Sequence, residues 1–348
     1  MEFLEQVPLA PYTTFQIGGP ARWFAEAVSE ADIAAAVSFA GERNLPLFVL
    51  GGGSNLLVAD TGFSGLVLRI ALRGILSTDQ GGSSLISAAA GEDWDGLVAY
   101  AVEADCAGFE CLSGIPGTVG GTPVQNVGAY GQEVAQTIVS VRALDRKTGQ
   151  FVNLAAADCG FSYRRSIFNS SERGRYIVSR VEYSLRMHAP PNILYADLAK
   201  YFAASGSTSP SLAEVREAVR SIRRQKGMLI VPGDPDCRSA GSFFKNPIVT
   251  LPALDSIAGE LSVDKKSIPA YPALHGEVKL SAAWLIERAG FAKGYALGNA
   301  GISSRHTLAL INRGGASAGE IVALRDRIIA TVKSRFAVHL EPEPVWLG

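Results

Sequence analysis

The sequence is poor in the residues that build metal sites and disulfide frameworks. Only four cysteines, Cys106, Cys111, Cys159 and Cys237, occur in 348 residues, with no C-x-x-C pair and no histidine at ligand spacing beside them. That argues against a zinc module and a stapled secreted scaffold. It leaves no metal to expect, and the thiols read as small apolar residues of a reduced, cytoplasmic protein. Neither sign of charge is in excess: 32 Lys and Arg face 33 Asp and Glu, which removes the electrostatic case for nucleic acid or an anionic membrane. No uninterrupted apolar run reaches the length that spans a bilayer. The start, Met1-Glu2-Phe3-Leu4-Glu5, lacks the basic-then-apolar order of a secretory signal. Internal repeats and low-complexity tracts are missing as well. What remains is a chain long enough for two or three globular domains.

Glycine is present in two concentrated places. Gly51-Gly52-Gly53-Ser54-Asn55 follows the apolar run Leu45–Leu50, and the stretch Leu112–Tyr130 is dense in glycine and almost uncharged. Neither cluster matches G-x-x-x-x-G-K-[ST], which disfavours a nucleoside triphosphate loop. The first also lacks G-x-G-x-x-G spacing and a following amphipathic helix, which disfavours the usual dinucleotide fold. Two readings stay open: tight turns between strands, or backbone cradles that present N–H groups to a phosphate-bearing ligand.

Around these clusters the pattern is mixed α and β. Ser29-Glu30-Ala31-Asp32 reads as a capping box ahead of an apolar stripe at Ile33, Val37 and Ala40. A second helix carries Trp94, Leu97, Val98, Ala101 and Val102 on one face. Asp145–Gly149 reads as a hairpin turn, and Val181, Tyr183 and Leu185 alternate with polar neighbours as a half-buried strand. Ser211-Leu212-Ala213-Glu214 caps a basic helix, Gly233–Asp236 is a turn cluster, and further helices fall near 282–288 and after Ser317.

Six motifs in order then carry a resemblance that covers nearly the whole chain. They are Tyr12–Ala21, Gly51–Asn55, Ile115–Gly131, Tyr163-Arg164-Arg165-Ser166-Ile167-Phe168, Ala240–Pro247 and Leu340-Glu341-Pro342-Glu343. In these the chain resembles the UDP-N-acetylenolpyruvoylglucosamine reductases, within the broad flavoprotein class of the vanillyl-alcohol oxidases. The resemblance implies an α+β architecture, a two-part FAD-binding domain with a C-terminal α+β substrate domain. The parts expected are residues 1–72, residues 73–226 with 337–348, and residues 227–336. It implies non-covalent FAD, NADPH as co-substrate, a small sugar-nucleotide substrate and no obligate protein partner. Cofactor contacts carried over by position are Gly51, Gly52, Gly53, Ser54, Asn55, Ile115, Pro116, Gly117, Gly121, Thr122, Val124, Gln125, Gly128 and Ala129.

The implied reaction is reduction of an enol ether to a lactyl ether. Hydride adds to the terminal carbon, and negative charge spreads from the adjacent carbon into the carboxylate. That charge calls for a fixed cation and a hydrogen-bond donor, and the carbon for a positioned acid. The resemblance assigns Arg164 and Glu343 to the charge and Ser242 to the proton. Taken alone, Arg164 and Arg165 also read as an exposed pair, Ser242 as a turn residue and Glu343 as a solvated charge. Pro344 and Val345 stand where the family carries valine and a basic residue, and proline has no N–H to donate. Substrate contacts carried over are Lys226, Asn246 and Tyr195, the last on a loop that marks one of two subtypes. Glu287 and Arg288 lie near a phosphate-contacting position, and His306 reads as a structural hydrogen-bonder. Two other functions fit the residues: a flavin oxidase acting on a sugar or alcohol, and a non-catalytic flavin or sugar-nucleotide binder. Such oxidases often tether FAD through a histidine near the first glycine loop, where this chain has Ser54 and Asn55.

Overall fold

The structure, a computed structural model, describes residues 1–348 apart from the side chain of Leu274. Its internal contacts divide into two units. One comprises Met1–Val7, Ala21–Gly53 and Phe63–Arg224, and the other Pro8–Pro20, Ser54–Gly62 and Gln225–Gly348.

The first unit holds two main sheets, beside the short antiparallel pair Gly128–Ala129 and Gln132–Glu133. In the smaller, the strand order is Leu4–Pro8, Pro20–Ala27, Phe63–Ile70 and Leu47–Leu50, and the last three run parallel. Parallel neighbours need a crossover, and the helix Glu30–Glu42 supplies one. Its N-terminus is the expected capping box, with the Asp32 N–H donating to Ser29 and the Asp32 carboxylate accepting from the Ser29 N–H. The helix buries Ile33, Ala36 and Ala40, and Val37 is only partly covered. The larger sheet runs Gln150–Ala155, Ile138–Asp145, Tyr176–Met187, Ser83–Ala89 and Ile75–Asp79, with the short strand Cys106–Ala107 also beside Tyr176–Met187. Its first pair closes through the expected turn, where the Gly149 N–H reaches the Asp145 carbonyl at 2.8 Å.

Between sheet and helix Trp94–Glu103 the core stacks Trp94, Phe109 and Tyr183, with ring centroids 4.9 Å apart for the Trp94–Phe109 and Phe109–Tyr183 pairs. The Tyr183 hydroxyl, fully buried, lies 2.8 Å from Thr122 Oγ1, so the core reaches directly into the glycine-rich segment. The helices Ala196–Ser205 and Leu212–Gln225 pack Leu198, Phe202, Val215, Val219 and Ile222 around Cys111.

The second unit is built from the helices Leu251–Leu261, Ala282–Arg288 and Ala318–Phe336 with two three-stranded sheets. Ile321, Leu324, Ile328 and Val332 form the buried stripe of the long helix. Its N-terminal N–H groups at Ala318 and Gly319 donate to the Asp60 carboxylate at 2.8 and 3.1 Å. That places an anion where the helix dipole favours one. The C-terminal strand Val345–Leu347 lies parallel to Leu56–Val58.

All four cysteines are reduced and buried, and burial raises each thiol, Cys159 to about 11. Among the described residues no group of His, Cys, Asp and Glu is arranged to hold a metal. Among the same residues no helix is long and apolar enough to cross a membrane.

Candidate active site

The two glycine clusters meet inside the first unit. A Cβ placed on Gly52 would stand 2.6 Å from Gly117 Cα, and one on Gly51 would stand 2.8 Å from Thr118 Oγ1. At Gly52 the two backbones are therefore in contact, and only glycine permits it. Gly53, Gly114 and Gly117 also take positive φ, at 64°, 71° and 127°. The far wall is pinned by the N–H of Trp94 on the Gly117 carbonyl at 3.1 Å and by Gly120 on the Ala90 carbonyl at 2.8 Å. A Cβ on Gly120 would meet Ala90 Cβ at 2.6 Å. Two walls of bare backbone, close-packed and rich in N–H groups, fit the diphosphate of FAD. Gly51, Gly52, Gly53, Ile115, Pro116, Gly117, Gly121 and Thr122 lie on these walls, whereas Ser54 and Asn55 belong to the second unit.

One end of the glycine-rich segment is bracketed by charge. The Gly114 N–H donates to Asp95 at 2.6 Å, and the Gly114 carbonyl accepts from Arg223 Nε at 3.0 Å. Burial pushes the Asp95 carboxyl up, but the hydrogen bonds of Arg216 and Gly114 and the charge of Arg220 outweigh it and hold the group low. No sequence pattern points to Asp95 and Arg223, because both act through Gly114, distant in the chain.

At the other end, Val124–Ala129 and the Tyr163–Phe168 motif are held as one piece. Ser166, buried, donates to the Val124 carbonyl at 2.6 Å. Asn126, also buried, donates to the Ser162 carbonyl at 3.0 Å and to Glu133 at 2.8 Å, and accepts from the Ala135 N–H at 3.1 Å. Ser162 and Arg165 exchange backbone hydrogen bonds of 3.0 Å, and Arg164 at the tip has φ 54°. Asn169 stabilises that left-handed residue by donating to its carbonyl at 3.1 Å. The Arg164 guanidinium donates to the Gly128 carbonyl at 2.8 Å. Asn169, just past the motif, braces the Arg164 peptide, and Ser166 within the motif ties the loop to Val124. Tyr195 stands at the N-cap position of the helix Ala196–Ser205 and meets the Tyr130 ring edge-on at 5.4 Å.

In the second unit Ser242 and Glu343 are brought together. Gly241, with φ 70°, turns the chain into Ser242. The next peptide is fixed by the Phe243 N–H on the Leu308 carbonyl at 2.7 Å, and the Glu343 N–H donates to the Phe243 carbonyl at 2.9 Å. Lys245 continues the pairing through its N–H on the Glu341 carbonyl at 3.0 Å and its ammonium on the Glu341 carboxylate at 2.6 Å. Phe243 and Phe244 are 2 % and 1 % exposed, so this strip is anchored in the core. Asn246 accepts the Ala282 N–H at 2.9 Å, which leaves its amide nitrogen as the group to offer a ligand. Glu287 accepts from the Thr307 hydroxyl at 3.3 Å, and Arg288 lies over the Trp284 ring.

His306 is a neutral acceptor here: the Leu308 N–H donates to its Nδ1 at 3.0 Å. Burial, then the charges of Lys226 and Lys293, lower it from 6.5 to about 4. The unfolded chain therefore binds a proton near pH 6.5 that the folded chain refuses until about pH 4, so stability falls as pH drops through that window. His306→Asn keeps an acceptor without titrating and should flatten the fall by up to about 3 kcal/mol. Urea unfolding across the window checks this, and parallel losses in both proteins would contradict it.

A family model described as "UDP-N-acetylenolpyruvoylglucosamine reductase, C-terminal domain" matches residues 234–347, and one described as "FAD binding domain" matches residues 21–155. The chain is 46% identical over 351 residues to the UDP-N-acetylenolpyruvoylglucosamine reductase of Thermobifida fusca, covering 99% of this chain and 98% of the relative. It is 47% identical over 353 residues to that of Streptomyces coelicolor, covering 99% and 90%. It also resembles the crystal structure of the UDP-N-acetylenolpyruvylglucosamine reductase from Thermus caldophilus, with a TM-score of 0.67 at 26% identity, covering 100% of this chain and 98% of that one.

Proposed function

The chain belongs to the UDP-N-acetylenolpyruvoylglucosamine reductase family, and on that premise we propose that Arg164, Ser242 and Glu343 carry its reductive step. The protein is an FAD-containing oxidoreductase that uses NADPH to reduce UDP-N-acetylglucosamine enolpyruvate to UDP-N-acetylmuramate, in peptidoglycan precursor synthesis. FAD, when bound, supplies a two-electron relay between the two substrates. The enolpyruvyl double bond takes a hydride at its terminal carbon and a proton at the carbon beside the carboxylate, and NADPH leaves as NADP⁺.

Within that balance the chain's residues have separate tasks. Arg164 brings a fixed positive charge to the carboxylate on which negative charge develops. Glu343 flanks the same group. Ser242 delivers the proton, a task a hydroxyl performs only where its neighbours stabilise the alkoxide or relay a proton to it. Tyr195, Lys226 and Asn246 bind the sugar nucleotide, with cation and neutral donors suited to a diphosphate. Residues 1–72 and 73–226 with 337–348 serve FAD, and residues 227–336 serve the substrate. Buried, unpaired thiols and a nucleotide substrate support a cytoplasmic site of action.

The observation that carries the reading is the 2.9 Å hydrogen bond from the Glu343 N–H to the Phe243 carbonyl. It sets two motifs nearly 100 residues apart side by side, with the proposed acid in one and the proposed carboxylate in the other. Steady-state assays test it: NADPH should be consumed one for one with added enolpyruvyl sugar nucleotide. Oxidation at the same rate without that substrate would favour an oxidase and overturn the reading.

A further inference from the structure

The stretch Leu340–Leu347 changes partners at Pro344. Before it, the chain pairs with Phe243–Lys245: Lys245 with Glu341, Phe244 with Pro342, and the Phe243 carbonyl with the Glu343 N–H. After it, Val345, Trp346 and Leu347 lie in register with Leu56, Leu57 and Val58. Proline stands at the hand-over without an N–H of its own.

Asn55 brackets that proline. Its side-chain Nδ2 donates to the Glu343 carbonyl at 3.2 Å, and its backbone carbonyl accepts the Val345 N–H at 2.9 Å. Glu343 thus has its N–H fixed by Phe243 and its carbonyl fixed by Asn55. We propose that Asn55 is a positioning residue for Glu343: its pincer around Pro344 sets where the Glu343 side chain starts, replacing the support that a residue with an N–H would give there. The inference rests on the role given to Glu343 in the proposed function. The physical ground is that a displacement of about 1 Å in a group facing the reacting atoms can cost roughly a hundredfold in rate. A partly held backbone loses less than that.

A double-mutant cycle tests it, because residues acting through one another are non-additive. Asn55→Ala, Glu343→Gln and the pair are loaded with FAD, reduced anaerobically with NADPH, and mixed with the enolpyruvyl sugar nucleotide. Rates are taken per bound flavin. Asn55→Ala should slow reoxidation about tenfold when Glu343 is present and less than twofold when it is glutamine. The same fold loss in both backgrounds, or none in either, overturns the proposal. If Asn55→Ala fails to retain flavin, hydrogen exchange on the flavin-free proteins decides instead. The segment 343–347 should then exchange several-fold faster in Asn55→Ala than in wild type, with 243–245 unchanged, and equal exchange overturns it. A wild-type enzyme left reduced by the sugar nucleotide would sink the functional reading, while the exchange measurement would still judge the pincer.

Discussion

Ser242→Ala should leave NADPH-dependent bleaching of the flavin within about twofold of wild type while slowing reoxidation by the enolpyruvyl sugar nucleotide by about a thousandfold, the usual scale for a lost general acid. The separation is expected because Ser242 is held by its neighbours and not by its own hydroxyl. Phe243 and Phe244 are buried, and the Phe243 peptide is hydrogen-bonded on both sides, to the Leu308 carbonyl and from the Glu343 N–H. Removing Oγ therefore leaves the backbone of the strip in place. Only the step that needs a proton on carbon should register the loss. Stopped-flow measurement of both half-reactions checks this, and comparable slowing of the two would point to a damaged pocket.

Gly52→Ala should cost the protein its flavin. The added Cβ would lie 2.6 Å from Gly117 Cα, closer than real Cβ atoms come, and 3.0 Å from Gly117 C, tighter than nearly all such contacts. Backbone must move, and the Gly117 side is pinned through its carbonyl to Trp94, itself buried in the core. Relief has to come from separating the two glycine walls. We expect purified Gly52→Ala to carry under about a tenth of the wild-type flavin, with far-ultraviolet circular dichroism unchanged. The scale follows from a cradle whose shape supplies most of its donors. Gly41→Ala is the matched control, since a Cβ there meets nothing within 4 Å. Equal flavin content in Gly52→Ala and the control would show that the walls do not hold the cofactor.

The parts legible in the sequence were those whose cause is local. Ser29 with Asp32 and Ser211 with Glu214 announce helix starts because the capping partners are three residues apart. The hairpin at Asp145–Gly149 and the alternation around Val181–Leu185 are local in the same sense. The glycine clusters could be seen but their mutual contact could not, because Gly52 and Gly117 meet only once the sheet has formed. Arg164 is a clearer instance: the doublet Arg164-Arg165 does not say which arginine matters. The left-handed turn, the Asn169 brace and the Gly128 carbonyl fix how Arg164 is placed, and each depends on tertiary placement. Asn126 is buried beneath that turn, yet in the sequence it is one polar residue beside Gln125. Hardest of all was Asn55 with Glu343, because no periodicity links residues 288 positions apart. The same stretch, Ser54–Gly62, leaves the first unit to pack with the second, a switch that composition does not mark.

Whether the flavin passes its electrons to the enolpyruvyl group is tested most directly without air. The FAD-loaded protein is bleached with one equivalent of NADPH, UDP-N-acetylglucosamine enolpyruvate is added without oxygen, and the flavin absorbance is followed. Full recolouring is expected, with one equivalent of UDP-N-acetylmuramate formed per flavin. A flavin that stays bleached until air is admitted would contradict it.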